Sequence, residues 1–260
     1  NRLINGLDTH YSTIWSSVNS QTATGGTHLA AALNEARIYL NYHKSQDNAA
    51  DCRQKFVILV TDGADTLACG GDGTEGQSTQ YKRRRETVAK VKALSDGGYK
   101  VFVVGFGADM PHWLRNGLNW AARFGGTRNA SATQSGDPNA YNPSLYGSCQ
   151  SSSTTHHNIE GDGDHYYATS GDPGEISLSG YAFLASSADD LATAIKAIAK
   201  YIVALTKASV SYVSPVVPIS QMEKTSAGNR MYLGMFKPAD KSFWKGNIKK
   251  FGIATEDNGQ

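Results

Sequence analysis

The sequence Phe56-Val-Ile-Leu-Val-Thr-Asp-Gly63 decides the fold class of this chain. Its run of apolar, largely β-branched residues is typical of a strand that is buried on both faces of a parallel sheet. Asp62 follows directly, which puts a carboxylate at the carboxyl end of that strand. Because α/β proteins bind ligands and ions at this end of the sheet, we expect a functional site there.

Alternating helix and strand patterns on both sides of this segment predict an α/β fold with a doubly wound, mostly parallel sheet. An apolar helical stripe follows Thr27, and a second helical pattern covers about Thr79 to Leu94. Lys100–Gly107 predicts another buried strand. A third strand at Gly180–Ala185 leads into a helix that starts at Ser187.

Two changes of pattern set the predicted domain boundaries. Residues 126–179 are rich in Ser, Thr, Gly, Asn and Asp and far exceed ordinary loop length, so we interpret them as an inserted loop that is either disordered or functional. After the last helix, Ala208–Val217 and Arg230–Phe236 alternate like antiparallel strands. We therefore predict an α/β domain over residues 1–205 and a small β-rich appendage over residues 206–260.

Composition narrows the class of protein. The formal net charge of +2 gives no electrostatic reason to expect binding to nucleic acid or to an anionic membrane. The basic run Lys82–Arg85 starts a helical pattern, and we predict that it forms a solvated helix face. No apolar run approaches the ~18 residues that span a bilayer. Abundant Ser, Thr, Asn, Gly and Tyr with few charges suggest a piece trimmed from a longer exported protein.

The three cysteines fit an oxidising compartment. Cys52 precedes the Asp62 strand and Cys69 follows it, and a strand of this length holds them roughly 20 Å apart, too far for a disulfide. Cys149 lies in the insertion, which we expect to leave the sheet at the same end as Cys69. We favour a Cys69–Cys149 disulfide, with Cys52 free or paired to a segment absent from the chain; three unpaired thiols are the alternative.

Several segments resemble one known family. Gly25-Gly26-Thr27-His28-Leu29 at a helix start and Thr61-Asp62-Gly63 at a strand end resemble the second and third parts of the metal-ion-dependent adhesion site of von Willebrand factor A domains. Phe183–Ile195 resembles the last strand and helix of such a domain in the PilY1 family. Met231–Pro238, followed by Phe243–Phe251, is similar to the bridge by which that family passes towards a carboxyl-terminal β-propeller.

The resemblance implies an exported, non-enzymatic adhesin and assembly factor of type IV pilus tips. Such a protein passes through the periplasm to the cell surface and contacts pilins, minor pilins or a host or surface ligand. The 260 residues contain no Gly-x-Ser-x-Gly, HExxH or phosphate-loop motif, and we predict no enzyme. The rival interpretations are a metal-independent structural scaffold at the pilus tip and, from a different class, a metal-dependent hydrolase.

The resemblance also implies a site for Mg²⁺, or for Mn²⁺ or Ca²⁺, with Thr27 and Asp62 among its ligands. Its first part, Asp-x-Ser-x-Ser, does not occur in these 260 residues. We therefore expect an N-terminal fragment or second chain to complete both the site and the sheet, whose Asp62 strand is otherwise an exposed edge. On the residues alone, Thr27 could instead cap its helix and Asp62 could order the following turn.

Two weaker candidates for metal binding lie in the insertion. Asp162 and Asp164 alternate with glycine, as at the start of a calcium-binding loop, but the later ligand positions do not follow. A solvated turn is the simpler interpretation of these residues. His156-His157 could bind a transition metal, although a histidine pair in a Ser/Thr-rich loop is usually just exposed.

Overall fold

The computed structural model describes residues 5–7, 9–22, 25–50, 53–74, 80–144, 149, 156–158, 166–168, 171–208, 230–237 and 245–252. The chain divides into two compact units, residues 1–198 and 199–260. This boundary lies within the last long helix, whereas the sequence predicted it after residue 205.

The helices and strands predicted for the first unit are present in the predicted order, together with two short strands in the insertion that were not predicted. The α-helices are Tyr11–Asn19 (α1), Leu29–Gln46 (α2), Gln80–Asp96 (α3), His112–Phe124 (α4) and Ala188–Ala208 (α5), with a 3₁₀ turn at Ala68–Gly70. The strands are Phe56–Thr61 (β1), Lys100–Phe106 (β2), His156–Asn158 (β3), Tyr166–Ala168 (β4), Phe183–Ala185 (β5), Arg230–Lys237 (β6) and Lys245–Gly252 (β7). None of the helices in the described ranges has the length and apolarity that crossing a membrane requires.

A three-stranded parallel sheet in the order β1-β2-β5 forms the centre of the first unit. This sheet and its helices confirm the α/β class. Strands β3 and β4 form a separate antiparallel pair. In the second unit β6 and β7 pair antiparallel along their whole length, from Arg230 opposite Gly252 to Lys237 opposite Lys245. The predicted strand at 208–217 lies, apart from its first residue, outside the described residues.

The main apolar core packs on one face of this sheet. Val57 and Leu59 of β1 pair in register with Val101 and Val103 of β2, and all four contact a cluster of buried side chains from α2, α3 and α4. The helices contribute Leu33, Leu40, Val88, Val91, Leu94, Leu114, Leu118 and Trp120. The alternate residues of β2 are buried as well, so the central strand is covered on both faces.

The prediction that β1 is buried on both faces is wrong for this chain. Ile58 and Val60 are 41% and 48% exposed. The physical reason is position: Val57 and Leu59 contact the core on one face, whereas at this edge of the sheet no described element covers the opposite face of β1. A strand sequence suited to the middle of a sheet therefore lies at its edge. This is the position expected if the segment that completes the sheet is missing.

The expected solvated face at Lys82–Arg85 is also wrong. Arg83, Arg84 and Arg85 are 0%, 5% and 2% exposed. The guanidinium of Arg84 binds the carboxylate of Asp172 through two hydrogen bonds, Nε to Oδ1 at 2.9 Å and Nη2 to Oδ2 at 2.6 Å. It also lies 5.3 Å from the ring centroid of Trp113. The charge can be buried because Asp172 pairs with it, and the sequence did not reveal this because Asp172 lies far away in the chain, in the insertion.

Parts of the insertion pack tightly on helix α4. The indole of Trp120 donates to the carbonyl of Ile176 at 2.7 Å, and the amide of Asn116 donates to the carbonyl of Gly174 at 2.8 Å. Tyr141 is buried, with its ring centroid 5.4 Å from that of Trp120. The described parts of residues 126–179 therefore include a component of the hydrophobic core, which a composition rich in small polar residues did not predict.

We expect Asp172→Ala to lower the free energy of unfolding by about 3–5 kcal/mol, because it leaves the guanidinium of Arg84 buried without its partner. Urea denaturation measures this loss. The matched control is Lys92→Ala, which removes an exposed ion pair to Asp96 and should change stability by less than about 1 kcal/mol. Equal losses in the two variants would show that the buried pair is not a special determinant of stability.

A pH dependence follows from Glu175, whose Oε1 lies 3.4 Å from Nε2 of His112. Burial, and then the nearby charge of Asp172, raise the pKa of Glu175 above its ordinary 4.5. The folded protein thus binds this proton more tightly than the unfolded chain does. The resulting stability is fully present below the ordinary pKa and is lost as the pH rises through the raised pKa.

Replacing Glu175 by Gln should therefore stabilise the protein at neutral pH and reduce the loss of stability above pH 4.5. Urea unfolding at a series of pH values tests this. Glu35→Gln, which removes an exposed carboxylate on α2, is the control. An unchanged pH profile in Glu175→Gln would contradict the assignment.

Candidate metal-binding site

Two loops meet at the carboxyl end of β1 and are joined by hydrogen bonds. The amide of Thr66 donates to the carbonyl of Thr27 at 2.9 Å, and the amide of Thr27 donates to Oγ1 of Thr66 at 2.8 Å. We call this pair of contacts the Thr27–Thr66 clamp. It joins the start of α2 to the loop after β1, although the two residues are 39 positions apart.

The same loop also caps helix α2. Oδ2 of Asp65 accepts the amide of Ala30 at 2.7 Å, while Oδ1 accepts the amides of Leu67 and Ala68 at 2.9 and 2.7 Å. The N-cap residue of α2, His28, makes no side-chain capping bond. Asp65 thus supplies from a distance the negative charge and acceptor that a helix N-terminus favours.

Close contact explains the glycines before Thr27. A Cβ on Gly26 would lie 2.7 Å from Oγ1 of Thr66 and 2.9 Å from Cδ1 of Leu67, which leaves no space for a side chain. Gly25 has φ +82°, a backbone conformation that other residues adopt only with strain. The Gly-Gly-Thr sequence therefore fits a helix start pressed against a second loop.

In the structure Thr27 does not cap helix α2, and Asp62 does not order the turn after β1. His28 is the N-cap of α2, and no hydrogen bond of the Thr27 hydroxyl to another described residue is present. The turn after β1 is ordered by Thr61, whose hydroxyl accepts the amide of Gly63 at 3.2 Å and donates to its carbonyl at 2.7 Å. Asp62 is exposed, and its carboxylate binds no described residue.

A hydroxyl and a carboxylate on two adjoining loops fit the chemistry of a hard cation. Mg²⁺ prefers six oxygen ligands and usually keeps several waters. Asp65 is committed to the backbone, because its two oxygens together accept three backbone amides. Thr27 and Asp62 would supply only two oxygens to such a cation, so a complete site would need further oxygens from outside the described residues or from water.

The sequence reasoning did not identify Asp65 and Thr66. Both are buried, at 4% and 6% exposure, and they hold the loop in place rather than face solvent. A signal was present, because two polar residues follow Asp62-Gly63 in the same short loop at the functional end of the sheet. Their partners lie far away in the chain, and only the tertiary contact reveals them.

Cys69 and Cys149 form a disulfide, with Cα atoms 4.9 Å apart. This is the pair that the sequence favoured over three unpaired thiols. The bond joins the loop that follows β1 to the insertion, 80 residues further along the chain. Cys52 lies outside the described residues.

Asp162 and Asp164 lie outside the described ranges. His156 and His157 belong to β3, where they pair in register with Ala168 and Tyr167 of β4.

No protein-family model matches this chain, and no curated protein or solved structure matches it either.

The clamp can be tested by replacing the hydroxyl of Thr66 with a methyl group. Thr66→Val keeps the side-chain volume but leaves the amide of Thr27 without its acceptor, and we expect a loss of about 1–3 kcal/mol in the free energy of unfolding. Thr66→Ser keeps the hydroxyl and should lose less. If urea unfolding gives equal losses for the two variants, packing of the methyl group rather than the hydrogen bond holds the loops together.

Proposed function

We propose that this chain is the second half of a von Willebrand factor A-type domain with a doubly wound sheet, from an exported PilY1-like adhesin and assembly factor of type IV pili. It binds a protein or surface ligand through a divalent-metal adhesion site that an N-terminal segment completes. The chain acts by binding and not by catalysis. Its partners are pilins or minor pilins and a host or surface ligand.

The observation that carries the proposal is the Thr27–Thr66 clamp. It holds the helix start and the loop after β1 together, so that the Thr27 hydroxyl and the Asp62 carboxylate belong to adjoining loops. Both groups lack a partner among the described residues, which is what a ligand set awaiting a cation requires. When bound, Mg²⁺, Mn²⁺ or Ca²⁺ supplies a positive charge and an open coordination position, which a carboxylate of the binding partner can occupy.

The edge position of β1 supports a completing segment. The strand is apolar from Phe56 to Val60, its Ile58 and Val60 side chains are exposed, and one edge of its backbone has no strand partner among the described residues. Exposed edges of this kind pair readily with another strand. A segment that adds a strand here would cover the edge and bring its own oxygen ligands to the end of the sheet where Asp62 lies.

The Cys69–Cys149 disulfide supports an exported protein, because such bonds persist in oxidising compartments. A site at the surface of an exported protein also fits the exposed position of Asp62.

A metal-independent scaffold at the pilus tip is the second candidate. The exposed apolar edge of β1 favours it, because strand addition alone provides affinity through backbone hydrogen bonds. In this case the β6–β7 ribbon of the second unit provides a further docking element, and Thr27 and Asp62 hold no ion.

The two functions are separated by titrating Mn²⁺ into protein purified from its natural source, whose polypeptides are first identified by intact mass spectrometry. The spectrum of free Mn²⁺ in electron paramagnetic resonance reports binding. We expect Asp62→Asn to weaken Mn²⁺ binding about tenfold or more, because it removes the charged ligand of a hard cation. Thr27→Val should also weaken it, and Thr27→Ser should restore it.

Asp96→Asn is the matched control, because it removes an exposed carboxylate at the end of α3 and should leave Mn²⁺ binding unchanged. Wild-type affinity in both Asp62→Asn and Thr27→Val would rule out the metal site. If pilin binding then persists in a chelator, the scaffold function replaces it.

A further inference from the structure

The Cys69–Cys149 disulfide lies against a buried carboxylate that the proposed adhesion site does not use. The two Sγ atoms and a carboxylate oxygen of Glu86 all lie within 4.8 Å of one another. Glu86 is 7% exposed. Within the described ranges, no other group of three or more His, Cys, Asp or Glu side chains converges in this way.

The two oxygens of Glu86 have different surroundings. Oε1 lies 3.3 Å from Nζ of Lys90, one turn along α3. Oε2 lies 3.7 Å from Sγ of Cys149. A disulfide sulfur carries no proton, so this contact gives Oε2 no hydrogen bond in the oxidised protein. Lys90 pairs with Oε1 only, whereas a Cys149 thiol in the reduced protein would donate its proton to Oε2, so the contact is better suited to the reduced protein.

We propose that the reduced form of this chain binds Zn²⁺ through Cys69, Cys149 and Glu86, at a site separate from Thr27 and Asp62. A dithiol reductant supplies two electrons and two protons, the sulfur–sulfur bond breaks, and the reductant becomes a disulfide. Each thiol then releases its proton when its sulfur binds the metal. Two thiolates and one carboxylate complete three positions of a tetrahedron, and water takes the fourth.

The observed distances suit this geometry. With Zn–S of about 2.3 Å and Zn–O of about 2.0–2.2 Å, a tetrahedral site separates a sulfur from a carboxylate oxygen by about 3.5 Å. Oε2 of Glu86 and Sγ of Cys149 are already 3.7 Å apart. The ammonium of Lys90 fixes the carboxylate from outside, in the way that charged partners orient metal ligands.

Backbone conformation and access also support a switchable site. Cys69 and Cys149 have φ of +58° and +54°, in the left-handed region that residues other than glycine rarely adopt. Strain of this kind is concentrated at functional positions such as ligand clamps and switches. Cys149 is exposed, so a reductant can reach the bond. Thiolate ligands select Zn²⁺ and exclude Mg²⁺, which makes the proposal independent of the adhesion site.

The test uses the chain carrying Cys52→Ser, reduced with dithiothreitol and freed of it under argon. Co²⁺ is titrated first, because it reports its ligands by absorption, and Zn²⁺ then displaces it. We expect one equivalent of Co²⁺ per chain, with thiolate-to-cobalt charge transfer in the near ultraviolet and the strong visible bands of a tetrahedral complex. One equivalent of Zn²⁺ should abolish both signals, and the oxidised protein should give neither.

Matched variants identify the ligands. Glu86→Gln should weaken Zn²⁺ binding by at least the roughly 10- to 100-fold that loss of an outer partner causes, and Cys149→Ser should weaken it more. Glu35→Gln, at an exposed position on α2, should have no effect. The proposal is overturned if the reduced protein takes up no metal, whether or not its near-ultraviolet circular dichroism is retained. It is equally overturned if Cys149→Ser binds Zn²⁺ as tightly as the parent.

Discussion

The loop that follows β1 holds this α/β unit together at the end where its candidate site lies. Asp65 caps helix α2 across 35 residues of chain, and Thr66 exchanges hydrogen bonds with Thr27 beside it. Helix α2 has no capping side chain of its own, so it and the loop after β1 stabilise one another. Because Asp62 precedes these residues directly, its position depends on a loop whose other polar groups are already engaged in the fold.

The buried arginines of α3 impose a second constraint on the fold. A guanidinium cannot be deprotonated, so burial of Arg84 requires a carboxylate, and that carboxylate is Asp172 of the insertion. The insertion also receives the indole hydrogen bond of Trp120 through its Ile176 carbonyl. The described parts of the insertion are consequently structural, and the disulfide joins the insertion again to the loop after β1.

The loop after β1 carries side chains of two different chemical kinds. Thr27 and Asp62, the ligands proposed for a hard cation, lie on the loops of the clamp, and further along the same loop Cys69 approaches Cys149 and Glu86. The two sets of ligands prefer different metals, because carboxylate and hydroxyl oxygens suit Mg²⁺ whereas thiolates suit Zn²⁺. Both proposed sites depend on the segment between Asp62 and Cys69, so the disulfide and the Thr27–Thr66 clamp are connected through one short stretch of chain.

The sequence by itself determined the α/β class, the positions of β1 and β2, and the placement of Asp62 at a carboxyl strand end, because apolar runs and helical periodicity are local signals. It also favoured the Cys69–Cys149 pair, since a strand separates Cys52 from Cys69 and the insertion was expected to leave the sheet at the same end as Cys69. It failed at Arg83–Arg85 and at Ile58 and Val60, where burial depends on what another part of the chain supplies. Only the tertiary structure decided those positions and the roles of Asp65, Thr66 and Glu86, because buried polar groups acquire their partners from segments that are distant in sequence.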